Sequence, residues 1–256
     1  MTSQATLSGW GRWPRRTCRT APLLAEAPFP GGPTLGAASA ITRGNGRSYG
    51  DPALNPDMTL TGTRANRMLS FDPETGDLVT EAGVLMSEIL DIFAPRGWFP
   101  QVVPGTKFGS VGGMIGSDVH GKNHHCAGSF GDHVNWIDLL CADGELRRCS
   151  SEENVELYNA TCGGMGLTGH ILAASVRLRS IPSAWIAQET IPVPDLDTAM
   201  GVFEATHDTT YSVAWIDCLA RGDSRGRSLI YLGDHADPEA LDREKRADPF
   251  KLRARR

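Results

Sequence analysis

Several things are missing from this chain, and each absence closes off a class of function. No Cys-x-x-Cys pair occurs among its six cysteines (Cys18, Cys126, Cys141, Cys149, Cys162 and Cys218), so neither a zinc ribbon nor a disulfide framework is indicated. No window reaches 18 consecutive apolar residues, which leaves no sequence signal for a spanning helix. The N-terminus shows no basic segment followed by an apolar core and a cleavage site. The P-loop pattern GxxxxGK[ST] is absent, and the one near-match to GxGxxG has Tyr49 where the third glycine belongs. Positive charge is not in excess either: 30 acidic against 25 basic residues give −5, which argues against nucleic acid as the main partner. The arginines at the two ends (Arg12, Arg15, Arg16, Arg19; Arg253, Arg255, Arg256) read as solvated termini. A reduced, cytoplasmic protein is the default expectation.

Glycine is what the chain has in quantity. It holds 29 in 256 residues, above the usual share of about 7%. With 40% apolar and 21% charged residues it is a folded globular protein, one large domain or one domain and part of a second. Nine of the glycines lie between Gly97 and Gly131, and four of the seven histidines between His120 and His133. Glycine gives up side-chain packing so that backbone can take unusual dihedrals or approach something closely. The run Gly105, Gly109, Gly112, Gly113, Gly116 therefore suggests backbone N–H groups laid against a flat or anionic ligand. Ser110, Ser117, Asp118, His120, Lys122 and Asn123 bring polar side chains beside it.

Two further clusters flank this stretch. Arg43-Gly44-Asn45-Gly46-Arg47-Ser48-Tyr49-Gly50 follows a short β-prone run and is the kind of loop whose N–H groups hold phosphates. Cys162-Gly163-Gly164-Met165-Gly166-Leu167-Thr168-Gly169-His170 feeds a strand at 171–178. Between the clusters, alternation and turn chemistry predict strands at 59–60 and 68–71, the latter returning through Asp72-Pro73-Glu74-Thr75-Gly76-Asp77 to 78–81. An amphipathic helix is expected near 85–94, with Leu85, Ile89, Ile92 and Phe93 on one face. Strands follow at 136–142 and 145–149, and Ser150-Ser151-Glu152-Glu153 reads as the start of a helix over 155–161. Strand 184–191, helix 196–205 and strands 211–217 and 228–232 come next. Residues 1–20 are a strap or a loose arm, a turn of helix is expected at 22–27, and the tail from Asp234 has no closing element.

Taken together, RGNGRSYGD, PGTKFGSVGGMIGSDVHGKNHHCAGSFGDH and GGMGLTG resemble the flavin domain of the vanillyl-alcohol oxidase / p-cresol methylhydroxylase (PCMH) superfamily. The likeness is nearest to its decaprenylphosphoryl-ribose oxidase branch. That resemblance implies an α+β fold: a two-subdomain PCMH-type FAD-binding domain over residues 1–180, then the beginning of an incomplete α+β substrate (cap) domain over 181–256. It implies that Arg43, Gly44, Asn45, Gly46, Arg47, Ser48 and Tyr49 wrap the FAD pyrophosphate. Pro104, Gly105, Thr106, Gly112, Gly113, Ser117, His120 and Gly121 would line the cofactor, with Gly166, Gly169 and Ile171 at its adenine half. The family pattern has Asn where this chain has Met165. Relatives with covalent FAD carry His where this chain has Arg47, so non-covalent FAD is expected, the arginine suiting a phosphate instead.

The implied chemistry is hydride transfer from a carbinol carbon of a sugar to flavin. His120, Tyr49 and Lys122 are the candidate catalytic residues. His120 is read beside the flavin edge, with a core histidine and a metal ligand shared with His124 and Cys126 as weaker readings; no metal is expected. Lys122 binds a substrate phosphate or pairs with Asp118. Cys126 reads as a small packed side chain. The expected substrate is a small sugar or a polyprenyl-phosphate sugar on the route to cell-wall arabinan, with a short-chain reductase as partner and the inner-membrane surface as a possible location. The resemblance also puts the base-side lysine and most of the cap beyond residue 256, so the chain reads as C-terminally truncated. An aldonolactone or alditol oxidase, a catalytically impaired FAD-binding remnant and a metal-dependent hydrolase are the competing readings.

Overall fold

A computed structural model describes residues 2–23, 32 and 34–252. Three sheets carry the chain. The first has the order β1 (Ser3–Ser8), β2 (Arg15–Pro22), β4 (Thr59–Thr61), β3 (Ile41–Arg43); β1 and β2 form an antiparallel hairpin, while β4 runs parallel to both β2 and β3. The second is centred on β10 (His170–Ser180), which is flanked by β6 (Asp77–Glu81) and β8 (Val134–Leu140). Outside these lie β5 (Met68–Phe71) and β9 (Leu146–Cys149), and the far end of β10 pairs with β7 (Trp98–Pro100). The third is β11 (Ile186–Val193), β13 (Ser228–His235), β12 (Tyr211–Ile216), all antiparallel, with α5 (Leu196–Ala205) packed on it.

The main core lies between the six-stranded sheet and the short helices α1 (Met86–Phe93) and α2 (Val111–Gly116). Helix α1 starts where the Glu88 carboxylate accepts from the Leu85 N–H at 2.7 Å. It buries Met86, Ile89 and Phe93. Ile92 is 40% exposed, so the expected apolar face is corrected: Met86, one turn before Leu90, takes the place assigned to Ile92. Each such burial contributes about 1.5–3 kcal/mol. A second cluster joins the first two sheets, with Ala21, Leu23, Met58 and Leu60 packed on Leu140 and Leu172. The third sheet has its own small core of Val193, Ala199, Ile230 and Leu232.

Other expectations need correction. Residues 3–22 are neither strap nor loose arm but a sheet hairpin with six-residue register from Ser3↔Thr20 to Ser8↔Arg15. Two helices, α2 and α3 (His124–Ala127), form inside the glycine–histidine stretch where none was expected. The signature at Ser150 is a turn instead of a cap: its hydroxyl accepts from the Glu152 and Glu153 N–H groups, and the cap of α4 (Val155–Thr161) is Asn154 at φ +50°. The tail does close, with α6 (Arg243–Ala247) capped by the Asp242 carboxylate accepting from Lys245 N–H at 2.9 Å. The expected turn of helix at 22–27 falls largely outside the described residues, as do Arg253, Arg255 and Arg256.

Candidate functional site

Between the four- and six-stranded sheets the three glycine clusters meet. The loop after β3 lies on the start of α2 so closely that a Cβ at Gly44 would overlap the Ser110 hydroxyl. That hydroxyl also accepts from the Gly113 N–H at 3.3 Å. The end of α2 is tied to the third cluster by Met165 N–H to the Gly116 carbonyl (2.7 Å) and Gly163 N–H to the Ile115 carbonyl (3.0 Å). These contacts border an open cleft of about 650 Å³, its solvent-filled mouth included. Its walls include Gly44, Ser48, Gly112, Gly113, Ser117, Gly166, Gly169 and Ile171. A second cleft of about 560 Å³ adjoins it, sharing Gly44, Ser48, Gly113 and Ser117 and adding Asn45, Gly46, Arg47, Pro104 and Thr106.

Two arginines stand at these clefts, Arg47 in the wall of the second and Arg43 packed beside Gly46. Arg43 Nη2 donates to the Ser8 carbonyl at 2.8 Å, but its Nη1 is buried with no acceptor. Gly46, at φ +65°, leaves room for that guanidinium, which a Cβ would overlap. Burial pulls the Arg43 pKa below its ordinary value, Cys18 opposing. Arg47 Nε is likewise buried without an acceptor, its guanidinium held between the rings of Trp10 (4.4 Å) and Phe108 (5.1 Å). A buried N–H donor without an acceptor costs about 1–3 kcal/mol, which a phosphate oxygen accepting from it would remove. The residues present therefore fit FAD: guanidiniums for its pyrophosphate, and a glycine wall for flat rings.

The two central glycines differ in role. A Cβ on Gly112 would come 2.9 Å from Ala82 Cβ, so this glycine lets α2 lie against the end of β6. A Cβ on Gly113 would meet only the Ser110 hydroxyl, at 3.1 Å, and would project at the exposed wall of both clefts. Met165 also lines the first cleft, at φ +54°, a left-handed conformation that suits Asn or Gly better than Met.

Six of the expected site residues line neither cleft: Arg43, Tyr49, Gly105, His120, Gly121 and Lys122. Tyr49 is 73% exposed and lies beside Gly11. Gly121 packs on Val103, whose carbonyl would lie 2.8 Å from a Cβ there. His120 is exposed, its ring 5.3 Å from that of His124. Lys122 lines a third space, an apolar groove of about 1080 Å³ between the 99–104 segment and the third sheet. Phe99, Val103, Ile186, Tyr211, Val213 and Tyr231 form much of its wall, and Pro104 lines both this groove and the second cleft.

The remaining polar groups of the stretch brace it. Asp118 accepts from the Gly131 N–H and the Ser129 hydroxyl, both at 2.8 Å, so the pairing with Lys122 is replaced by a backbone anchor. His125 Nε2 meets the Thr209 carbonyl at 2.9 Å and His133 Nε2 the Ala127 carbonyl at 2.7 Å. Cys126 is exposed rather than packed, its thiol donating to the His207 carbonyl. The Ser212 N–H donates to the Lys122 carbonyl at 2.9 Å, fixing the stretch to β12. The sequence reading missed Thr42 as a wall residue, paired with His170 Nδ1 at 2.7 Å, and gave Ser110 no contact with Gly44. Ser110 was open to discovery as a helix cap before Val111-Gly112-Gly113, had the glycines not masked the helix.

Comparisons with known proteins agree with this geometry. The chain is 35% identical to decaprenylphosphoryl-beta-D-ribose oxidase of Mycolicibacterium smegmatis, over 99% of the chain and 57% of that protein. It is 28% identical to L-gulonolactone oxidase of Bos taurus, over 58% of the chain and 33% of that protein. For D-arabinono-1,4-lactone oxidase of Yarrowia lipolytica the identity is 26%, over 55% of the chain and 27% of that protein. The chain thus spans less than two thirds of the length of each. Residues 37–150, which hold the first two glycine clusters and the strands between them, match the FAD binding domain family.

Proposed function

We propose that the protein is an FAD-dependent oxidoreductase that oxidises a secondary hydroxyl of a sugar, with a polyprenyl-phosphate pentose as the substrate class. FAD, when bound, supplies the hydride acceptor. Arg43 and Arg47 neutralise its diphosphate, the loop from Gly44 to Ser48 and the wall at Gly112, Gly113, Ser117, Pro104 and Thr106 hold its length, and Gly166, Gly169 and Ile171 receive the adenine half. The sugar enters from the groove, where the Lys122 ammonium meets a substrate phosphate and His120 orients the hydroxyl that is oxidised. Tyr49 and His120 are both exposed, and Lys122 is the one of the three candidates that lines the groove. The FAD is held without a covalent bond, since arginine at position 47 cannot form the histidyl link. The third sheet acts as the start of a substrate cap.

One observation carries the choice of substrate. Beside a polar, glycine-lined pair of clefts lies a groove walled by aliphatic and aromatic side chains, with Lys122 as the charged residue in its lining. A free aldonolactone or alditol is polar all round and has no use for such a wall, whereas a prenyl chain with a phosphate at its head matches both features. The test is anaerobic mixing of the FAD-loaded protein with each substrate class while the flavin band is followed. Bleaching by a polyprenyl-phosphate ribose supports the reading; faster bleaching by a gulono- or arabinono-lactone would replace it with a lactone oxidase.

A further inference from the structure

The hairpin of β1 and β2 takes no part in the oxidation, yet its turn is the most unusual surface on the molecule. From Thr2 to Leu23 it holds Arg12, Arg15, Arg16 and Arg19 and no Asp or Glu, in a chain whose net charge is −5. All four arginines are exposed, and among the described residues none has an ion-pair partner. Trp13 at the turn is 78% exposed and Trp10 is 52% exposed. The backbone of the turn is tied down: the Trp10 backbone N–H donates to the Ser48 carbonyl at 2.7 Å, and Gly11 lies against Tyr49, itself 73% exposed.

Large aromatic rings held out into water are a standing cost unless something apolar receives them. Indoles interleaved with arginines are the composition of a membrane–water interface, where the ring enters the headgroup layer, its N–H stays hydrated and guanidiniums pair with lipid phosphates. We propose that this hairpin turn docks the protein on an anionic lipid surface. Charge fixes the orientation: the acidic remainder of the chain is repelled by the same surface that attracts the four arginines. Because Trp10 is stacked on Arg47, a wall residue of the second cleft, docking there brings the mouth of the clefts to the headgroup layer. The proposal stands whether or not the sugar-oxidase reading holds, since it uses none of the catalytic side chains. Another exposed apolar group, Trp215 and Ile216 at the end of β12 with Leu219 after it, sits beside both acidic and basic residues and lacks this one-sided charge.

The whole chain is mixed with vesicles of phosphatidylglycerol in phosphatidylcholine or of phosphatidylcholine alone, and sedimentation and tryptophan quenching by brominated acyl chains are read. Binding is expected on the anionic vesicles, falling with added salt and at least about tenfold weaker on neutral ones. Arg15→Glu with Arg16→Glu is expected to lower it by at least about tenfold. Trp13→Ser is expected to remove much of the bromolipid quenching. All three residues are exposed, so an unchanged thermal midpoint shows that the variants fold. The proposal is overturned by no preference for anionic vesicles, by variants that bind as the parent does, or by a single-stranded oligonucleotide taking up the same arginines while the vesicles do not.

Discussion

Gly44 and Ser110, 66 positions apart, touch so tightly that any side chain on the first would overlap the hydroxyl of the second. This is the point at which the first glycine cluster is locked to the second, and it forms the floor of both clefts. Gly44→Ala is expected to cost about 1–3 kcal/mol of overpacking and to weaken FAD binding. Ser110→Ala should recover part of that loss in the double variant, because it removes the overlapped oxygen. A double-mutant cycle on thermal midpoint and FAD affinity checks this; additive effects would show that the two residues are not in contact.

Gly112 and Gly113 are adjacent and should behave differently. Gly112→Val drives its side chain into Ala82 and lowers the stability of the FAD-free protein. Gly113→Val projects into the clefts and is expected to abolish FAD binding with little change in the midpoint of the FAD-free protein. Equal destabilisation by both would make Gly113 only a turn former.

Arg47 leads to a prediction about how FAD leaves. With arginine and not histidine at that position, acid or heat precipitation should release the flavin into a yellow supernatant. Colour retained in the pellet would show a covalent link.

How far the sequence alone reached is clear from particular residues. The strand at 68–71, the helices at 155–161 and 196–205, and the order of the three glycine clusters were legible because alternation, helical spacing and turn residues agreed there. Helix α2 was hidden because glycine scores as a breaker, although here Ser110 caps it and Gly112 is needed for its close packing on Ala82. The β1–β2 hairpin was hidden because Arg15, Arg16 and Arg19 mask a strand whose partner is set by long-range pairing. Burial could not be read from type either: Tyr49 and Ile92 are exposed, and the Arg43 guanidinium is partly buried.

The contact between β10 and the third sheet predicts a dependence on pH. Arg179 Nη2 donates to the Tyr211 hydroxyl at 2.5 Å, that hydroxyl faces His235 Nε2 at 3.3 Å, and His235 Nδ1 faces the Ser183 carbonyl at 2.8 Å. Burial, with Arg179 adding to it and Ser183 and Asp234 opposing, holds the His235 pKa below its ordinary value. The unfolded chain, with histidine near pH 6.5, then binds more protons than the folded one in the window below that value. The stabilisation from a neutral His235 is thus full above about pH 6.5 and is lost as pH falls through the lower folded pKa. Thermal midpoints recorded across this window should fall on acidification, and less so in His235→Gln. An unchanged slope in the variant would place the acid sensitivity elsewhere.

Met165 holds φ +54° at the cleft wall, where the methionine side chain strains the backbone. Met165→Asn is expected to stabilise the protein by about 1 kcal/mol, the scale of the left-handed penalty for ordinary residues. A midpoint unchanged or lowered would mean that the contact of its sulfur with the Ser117 hydroxyl outweighs the strain.

The account stands on the meeting of the three glycine clusters as an FAD site, and titration of the purified, flavin-free protein with FAD tests it most directly. Calorimetry together with the visible spectrum should show one FAD bound per chain, the binding lost in Gly113→Val and weakened in Arg43→Met at an unchanged fold. A folded protein that takes up no FAD, or takes it up equally well in both variants, would contradict it.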